Sequence, residues 1–182
     1  MFVRELGPPT RRSFLAAGAG LAAAAAVPAA GLPAPAGEPS AALVGPWGGV
    51  KTYLLAFHKG EEVLAGLLAF VRENRLAGGH LSGIGAISDA VLGFFDREKK
   101  DYKRIPVASQ AEVASLTGTI TFKQGKPFLH AHAVLGLADG STRGGHLLEA
   151  HVWPTLEVVV TAWHKPVGRK RDPQTGLFLL DP

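Results

Sequence analysis

Three histidines stand where two short strand-like segments face one another: His130 and His132 in Pro127-Phe128-Leu129-His130-Ala131-His132-Ala133-Val134, and His146 in Arg143-Gly144-Gly145-His146-Leu147-Leu148. Side chains at i and i+2 of a strand point to the same face, so the first pair is set to grip a single ion. The strand returning through His146 brings a third imidazole toward them. Three neutral imidazoles suit zinc and leave a fourth position for water or a ligand, with copper and nickel as further ions that favour imidazole. The chain has no cysteine, which excludes disulfides and confines any metal site to nitrogen and oxygen ligands.

Whether the three rings meet depends on the turn between the strands. An ideal two-residue loop at Asp139-Gly140 sets Ala133 opposite His146, whereas a three-residue loop with Gly140 as the bulge sets His132 there. The triad therefore requires the bulge. On the first strand Phe128, His130, His132 and Val134 share a face; on the second, His146 shares one with Leu148, Ala150 and Val152. Both faces are otherwise apolar, and an imidazole buried there without a partner costs about 1–3 kcal/mol. The alternative to a shared ion is three core histidines bonded to backbone or water. Glu149 alternates away from His146 and is expected in an edge salt bridge. His58, His80, His151 and His164 fall near element ends, where an exposed or locally bonded ring is the ordinary outcome.

The elements around these residues read as one helix and a strand-rich meander. Val50 to Phe57 is expected as a strand. Lys59-Gly60-Glu61-Glu62 then opens a helix with Val63, Leu67, Phe70 and Val71 on one face and both glutamates in its first turn, ending between Asn74 and Gly79. Strands follow at about His80–Ile87, Ala90–Asp96, Asp101–Pro106, Ala111–Phe122, Phe128–Leu137, Thr142–His151 and Thr155–Trp163. Turns fall at Asp139-Gly140 and Gln124-Gly125-Lys126. This is an α+β pattern, a mainly antiparallel sheet with one principal packed helix.

Thr10-Arg11-Arg12-Ser13-Phe14-Leu15, a weakly hydrophobic Ala/Gly/Leu run and a Pro/Ala-rich stretch match a twin-arginine export signal, with Ala34-Pro35-Ala36 as its cleavage site. The expected division is a signal peptide over 1–36, a flexible linker over 37–49, a folded domain over 50–164 and a C-terminal tail over 165–182. The run is short and alanine-heavy for a membrane span. The whole chain has 19 Lys+Arg and 15 Asp+Glu; removing the leader leaves 16 cations against 14 anions, a net of +2. A nearly neutral domain offers little to attract nucleic acid, and periplasmic delivery would part it from chromosomal DNA.

Ordered blocks along the folded part carry a family resemblance. Phe57-His58-Lys59-Gly60-Glu61-Glu62 comes first, then Ser82-Gly83-Ile84-Gly85-Ala86-Ile87-Ser88-Asp89-Ala90-Val91-Leu92-Gly93-Phe94-Phe95-Asp96. Ser115-Leu116-Thr117-Gly118, Pro127-Phe128-Leu129-His130-Ala131-His132 and Gly144-Gly145-His146-Leu147-Leu148-Glu149 follow. From about Lys51 onward the chain resembles the plant and prokaryote conserved (PPC) domain. That resemblance implies an α+β fold with a large antiparallel sheet, a homotrimer and, in prokaryotic members, a metal held by histidines matching His130, His132 and His146. In such a trimer Asp89, read in a Ser88-Asp89 turn, would be either a carboxylate at an intersubunit pocket or a turn cap. Plant members pair the domain with Arg-Gly-Arg-Pro hooks for the DNA minor groove. Here Gly168-Arg169-Lys170-Arg171 lacks the intervening Gly and the following Pro, and reads as a solvated basic tail.

Other chemistries lack their parts. Ser82 and Ser88 have no Gly-x-Ser-x-Gly elbow, and Gly83-Ile84-Gly85 lacks the strand-to-helix setting of a dinucleotide site. The expected function is an exported small-molecule or metal-binding module with no assignable catalytic residue. A metal-dependent hydrolase or lyase using an open zinc position is the alternative, and a DNA-binding regulator the second alternative.

Overall fold

Along β8, core residues alternate over Leu156, Val158 and Val160, and the same periodicity recurs in β3 and β4, because each strand must turn one face toward a single helix. In the computed structural model residues 50–181 are described in full, together with the backbone of Arg4–Glu5 and Ser40–Trp47. The elements run β1 (Arg4–Glu5), β2 (Ser40–Trp47), β3 (Val50–His58), α1 (Val63–Glu73), β4 (Gly79–Asp96), β5 (Asp101–Val107), β6 (Ala111–Lys123), β7 (Lys126–Gly136), β8 (Thr142–Ala162), β9 (Gly168–Arg171) and β10 (Phe178–Asp181). The described residues are mostly strand with one short helix, which broadly fits the expected α+β arrangement. The sheet is mixed: β1–β2 and β6–β9 are parallel, and the remaining pairs are antiparallel.

The strands β4, β6, β7 and β8 pair in a closed circuit, with β3 against the C-terminal half of β8 and β5 against the C-terminal half of β4. Helix α1 lays Val63, Leu67, Phe70 and Val71 on the inner face, where Tyr53 meets Phe70 edge-on with ring centroids 5.2 Å apart. Leu55, Phe57, Leu81, Leu92, Ala131, Ala133 and Leu135 complete that core. Truncating one of these large side chains, such as Leu67, to alanine would cost about 2–5 kcal/mol.

Several sequence expectations change here. The glutamates do not lie in the first helical turn. Glu62 is the N-cap, its carboxylate accepting from Ala65 N–H at 2.6 Å and from Ala150 N–H at 3.2 Å, while buried Glu61 accepts from His58 N–H at 2.8 Å. N–H groups of the helix start and of β8 that have no backbone acceptor need one, and these carboxylates supply it. The two strands expected on either side of Ser88-Asp89 are one bent strand, β4, whose ladders shift register at Gly83/Gly85, Gly85/Ile87 and Ile87/Asp89. Bulges bend the strand without ending it. The two expected around Trp153-Pro154 are likewise one strand, β8; Trp153 and Pro154 fall where neither neighbouring ladder has a partner, so the missing proline N–H breaks no bond.

The ends also differ. Ser40–Trp47, within the stretch read as a flexible linker, pairs with β3. The basic segment is not a solvated tail: Gly168–Arg171 is β9, paired with β6 and folded back on β10. Arg11-Arg12, the apolar run and Ala34-Pro35-Ala36 lie outside the described residues. Among the described residues no helix is long and apolar enough to cross a membrane.

Candidate metal centre

The β7–β8 hairpin decides whether the histidines meet. Leu137 N–H donates to Ser141 C=O at 2.8 Å and Gly140 N–H to Leu137 C=O at 2.9 Å, enclosing Ala138, Asp139 and Gly140 as a three-residue loop. Gly140 has φ +80°, a left-handed conformation that glycine adopts without strain, and the Asp139 carboxylate accepts from Ser141 N–H and Oγ. The resulting register puts His132 directly opposite His146. This is the arrangement that the bulge at Gly140 was expected to produce.

All three histidines converge. One ring nitrogen from each of His130, His132 and His146 lies within 4.8 Å of the others, and the ring centroids are 5.2–5.3 Å apart. His130 Nε2 and His132 Nε2 are 3.2 Å apart. Two nitrogens bound to one tetrahedral zinc-like ion at about 2.0–2.1 Å would stand about 3.3 Å apart, so this pair is already spaced as two ligands of one ion. His146 Nδ1 is buried with no hydrogen-bond partner among the described residues. The orphaned nitrogen and the crowded rings have a common remedy, a cation shared among the three.

The cluster lies on the outer face of the sheet. Ala131, Ala133 and Leu135 take the core side of β7, leaving His130 half-buried and His132 exposed. In β8 the ladder shifts between Glu149 and Leu147, so Ala150 and Val152 turn into the core instead of sharing the face of His146. The same bulge returns Glu149 to the outer register beside His146, correcting the expected alternation. Glu149 forms the expected edge salt bridge, with Arg104 at 3.6 Å. Thr117 and Thr119, opposite His132 and His130, make the face less apolar than expected.

Burial favours the neutral form of His146 and His130. Burial, then the charges of His130, His132 and Arg169, push His146 down to about 4. Burial likewise lowers His130, with Arg169 and His132 adding to it. A neutral imidazole has a lone pair to give a metal; a protonated one does not.

Two neighbours escaped the sequence reading. Tyr102 stacks on His146 with centroids 4.7 Å apart, in space left by Gly93, where an added Cβ would lie 2.8 Å from Tyr102 Cδ1. Arg169 donates from Nε to Thr121 Oγ1 at 2.7 Å and from Nη1 to Phe178 C=O at 2.8 Å. Pairings with residues so distant in the chain leave no local periodicity to read.

The other singled-out residues lie elsewhere. Asp89 is in β4, not in a turn, and its carboxylate binds His151 Nδ1 at 2.8 Å and Ser88 Oγ at 2.7 Å. The pair lowers Asp89 and raises His151, each chiefly through their mutual hydrogen bond. His151 is thus held in mid-strand by a carboxylate from the neighbouring strand. His58 closes β3, while His80 and His164 are exposed.

A closed circuit of strands, one helix on the inner face and a trihistidine cluster on the outer face define a small α+β domain with a candidate metal centre. The conserved pattern of the Plants and Prokaryotes Conserved (PCC) domain matches residues 46–164, and the chain belongs to that family. No curated protein matches it. Among solved structures, a metal-containing protein from Archaeoglobus fulgidus is 36% identical, with 72% of this chain and 94% of that one covered and a TM-score of 0.67. A plant- and prokaryote-conserved protein from Pyrococcus horikoshii is 34% identical over 72% of this chain and 91% of its own, with a TM-score of 0.67. A candidate DNA-binding protein from Bacteroides thetaiotaomicron is 30% identical over 80% and 98%, with a TM-score of 0.73.

Proposed function

We propose that this chain is an exported metal-binding module in which His130, His132 and His146 hold one divalent ion, zinc foremost, whose remaining position takes a small ligand. The observation that carries the reading is the approach of three imidazoles, with His146 Nδ1 buried and unpartnered among the described residues. The metal-containing relative from Archaeoglobus supports it. Export rests on the Arg11-Arg12 signal over 1–36, ahead of the linker and the domain starting at residue 50, with delivery to the periplasm. Assembly as a homotrimer accounts for Leu54, Ile84 and Val159, large apolar side chains left 38–61% exposed around a groove on the sheet.

Binding is favoured over hydrolysis or lyase chemistry because no carboxylate joins the histidine cluster among the described residues, and Asp89 and His151 are engaged with each other. The Bacteroides relative is the argument for nucleic acid. Against it, Arg169 is half-buried and held by Thr121 Oγ1 and Phe178 C=O beside the histidines, not displayed along an open basic surface that could follow a phosphate backbone.

Elemental analysis of the purified chain, kept free of chelators, is the direct test. About one zinc-like ion per chain is expected. His130→Ala, His132→Ala or His146→Ala should each lower occupancy sharply, and His58→Ala should leave it unchanged. Absence of metal both as purified and after zinc addition would leave three hydrogen-bonded histidines as the better account.

A further inference from the structure

Arg169 stands beside the histidine cluster with no counter-charge among the described residues. Its strand, β9, lies beyond the family match, yet pairing with β6 carries it back to the outer face. There Nε is held by Thr121 Oγ1 at 2.7 Å, Nη1 by Phe178 C=O at 2.8 Å, and Nη2 reaches Thr119 Oγ1 at 3.5 Å. Those threonines face Phe128 and His130 across the β6–β7 ladder, and the guanidinium carbon lies 4.9 Å from the centre of the Phe128 ring. The side chain is therefore fixed in orientation next to His130. Its charge reaches both His130 and His146.

A guanidinium has five N–H donors, and three are used by these neutral acceptors. Among the described residues no carboxylate lies at ion-pair distance from it. A half-buried cation with spare donors beside three histidines, on which a bound tetrahedral ion would keep one position open, is an arrangement that would favour an anion. Arginine's planar fork suits an oxyanion better than a monatomic one, because two oxygens can be met at once.

We propose that the centre binds a small oxyanion, a carboxylate or a phosphate group, with one oxygen on the metal ion and another on Arg169. The inference rests on the three-histidine reading and adds to it the class of ligand and a selecting residue. Tyr102, stacked on His146, walls the site on the side of β5. The hairpin of β9 and β10 is then what supplies the selecting charge.

The test uses the full-length chain loaded with cobalt(II), whose visible absorption reports its coordination, titrated with acetate, inorganic phosphate and chloride. Acetate or phosphate should change the spectrum saturably and more tightly than chloride, and the stronger of the two identifies the ligand class. Arg169→Gln should weaken that oxyanion roughly tenfold or more while cobalt still binds. Lys170→Gln, removing an exposed charge on the same strand, should leave it within about twofold. Arg169→Lys retains the charge without the fork and serves if the glutamine variant fails to fold; several-fold weakening is expected. A wild-type spectrum unmoved by either oxyanion, or wild-type oxyanion affinity in whichever variant folds, overturns the proposal while leaving the metal reading intact. A chain that takes up no cobalt overturns both.

Discussion

His146 concentrates the chemistry of the site in one side chain. It is half-buried, stacked on Tyr102 and opposite His132, and its Nδ1 has no partner among the described residues. In the metal-free chain its ring, pushed from 6.5 down to about 4, stays neutral where the unfolded chain has already taken a proton. The folded state then binds fewer protons, so stability falls as pH drops from 6.5 toward 4 and levels off below. His151 has the opposite sign: raised by Asp89, it adds stability below 6.5 that is lost as pH rises through its higher folded value. A ring-resonance titration of the metal-free chain should find His146 changing near 4; a midpoint at the ordinary 6.5 would contradict the burial on which the argument rests.

At the scale of elements, the centre depends on close approach of β4 and β8. Gly93 pairs with His146, and an added Cβ on Gly145 would meet Gly93 C=O at 2.8 Å. That contact is with backbone and has no flexible end to yield. Gly145→Ala should therefore cost about 1–3 kcal/mol and lower metal affinity together with stability. Thermal melting and zinc titration of the same variant check it; wild-type values in both would show that the strands can part without consequence. The bulge at Gly140 acts at the far end of the hairpin by setting which residue of β7 reaches His146.

For the whole molecule, the outer face raises the question of assembly. Ile84 is 61% exposed beside Leu54 and Val159, which a lone domain would leave in water. The trimer proposal predicts that light scattering at micromolar concentration gives three times the chain mass, and that Ile84→Asp shifts it to monomer with the fold retained. A monomeric wild type would remove the proposal. Export belongs to the same scale: replacing Arg11 and Arg12 with lysine should abolish periplasmic accumulation in fractionated cells, and unchanged delivery would exclude the twin-arginine route.

Much was legible in the sequence because it was local. The strands expected at Asp101–Pro106, Ala111–Phe122 and Phe128–Leu137 match β5, β6 and β7 to within a residue or two, and period-3.6 spacing marked the buried face of α1. Glycine at the loop and the i, i+2 spacing of His130 and His132 narrowed the candidate centre to one question of register. The family was legible from ordered blocks. What tertiary structure decided was every effect of one strand on another. Bulges in β4 and β8 moved Glu149 and Ala150 to new faces, and pairing with β6 turned an apparent basic tail into the strand that carries Arg169 to the histidines. A side chain's face is set by its own backbone, but its partners are set by hydrogen-bonded register between strands distant in the chain, and that register is a property of the assembled sheet.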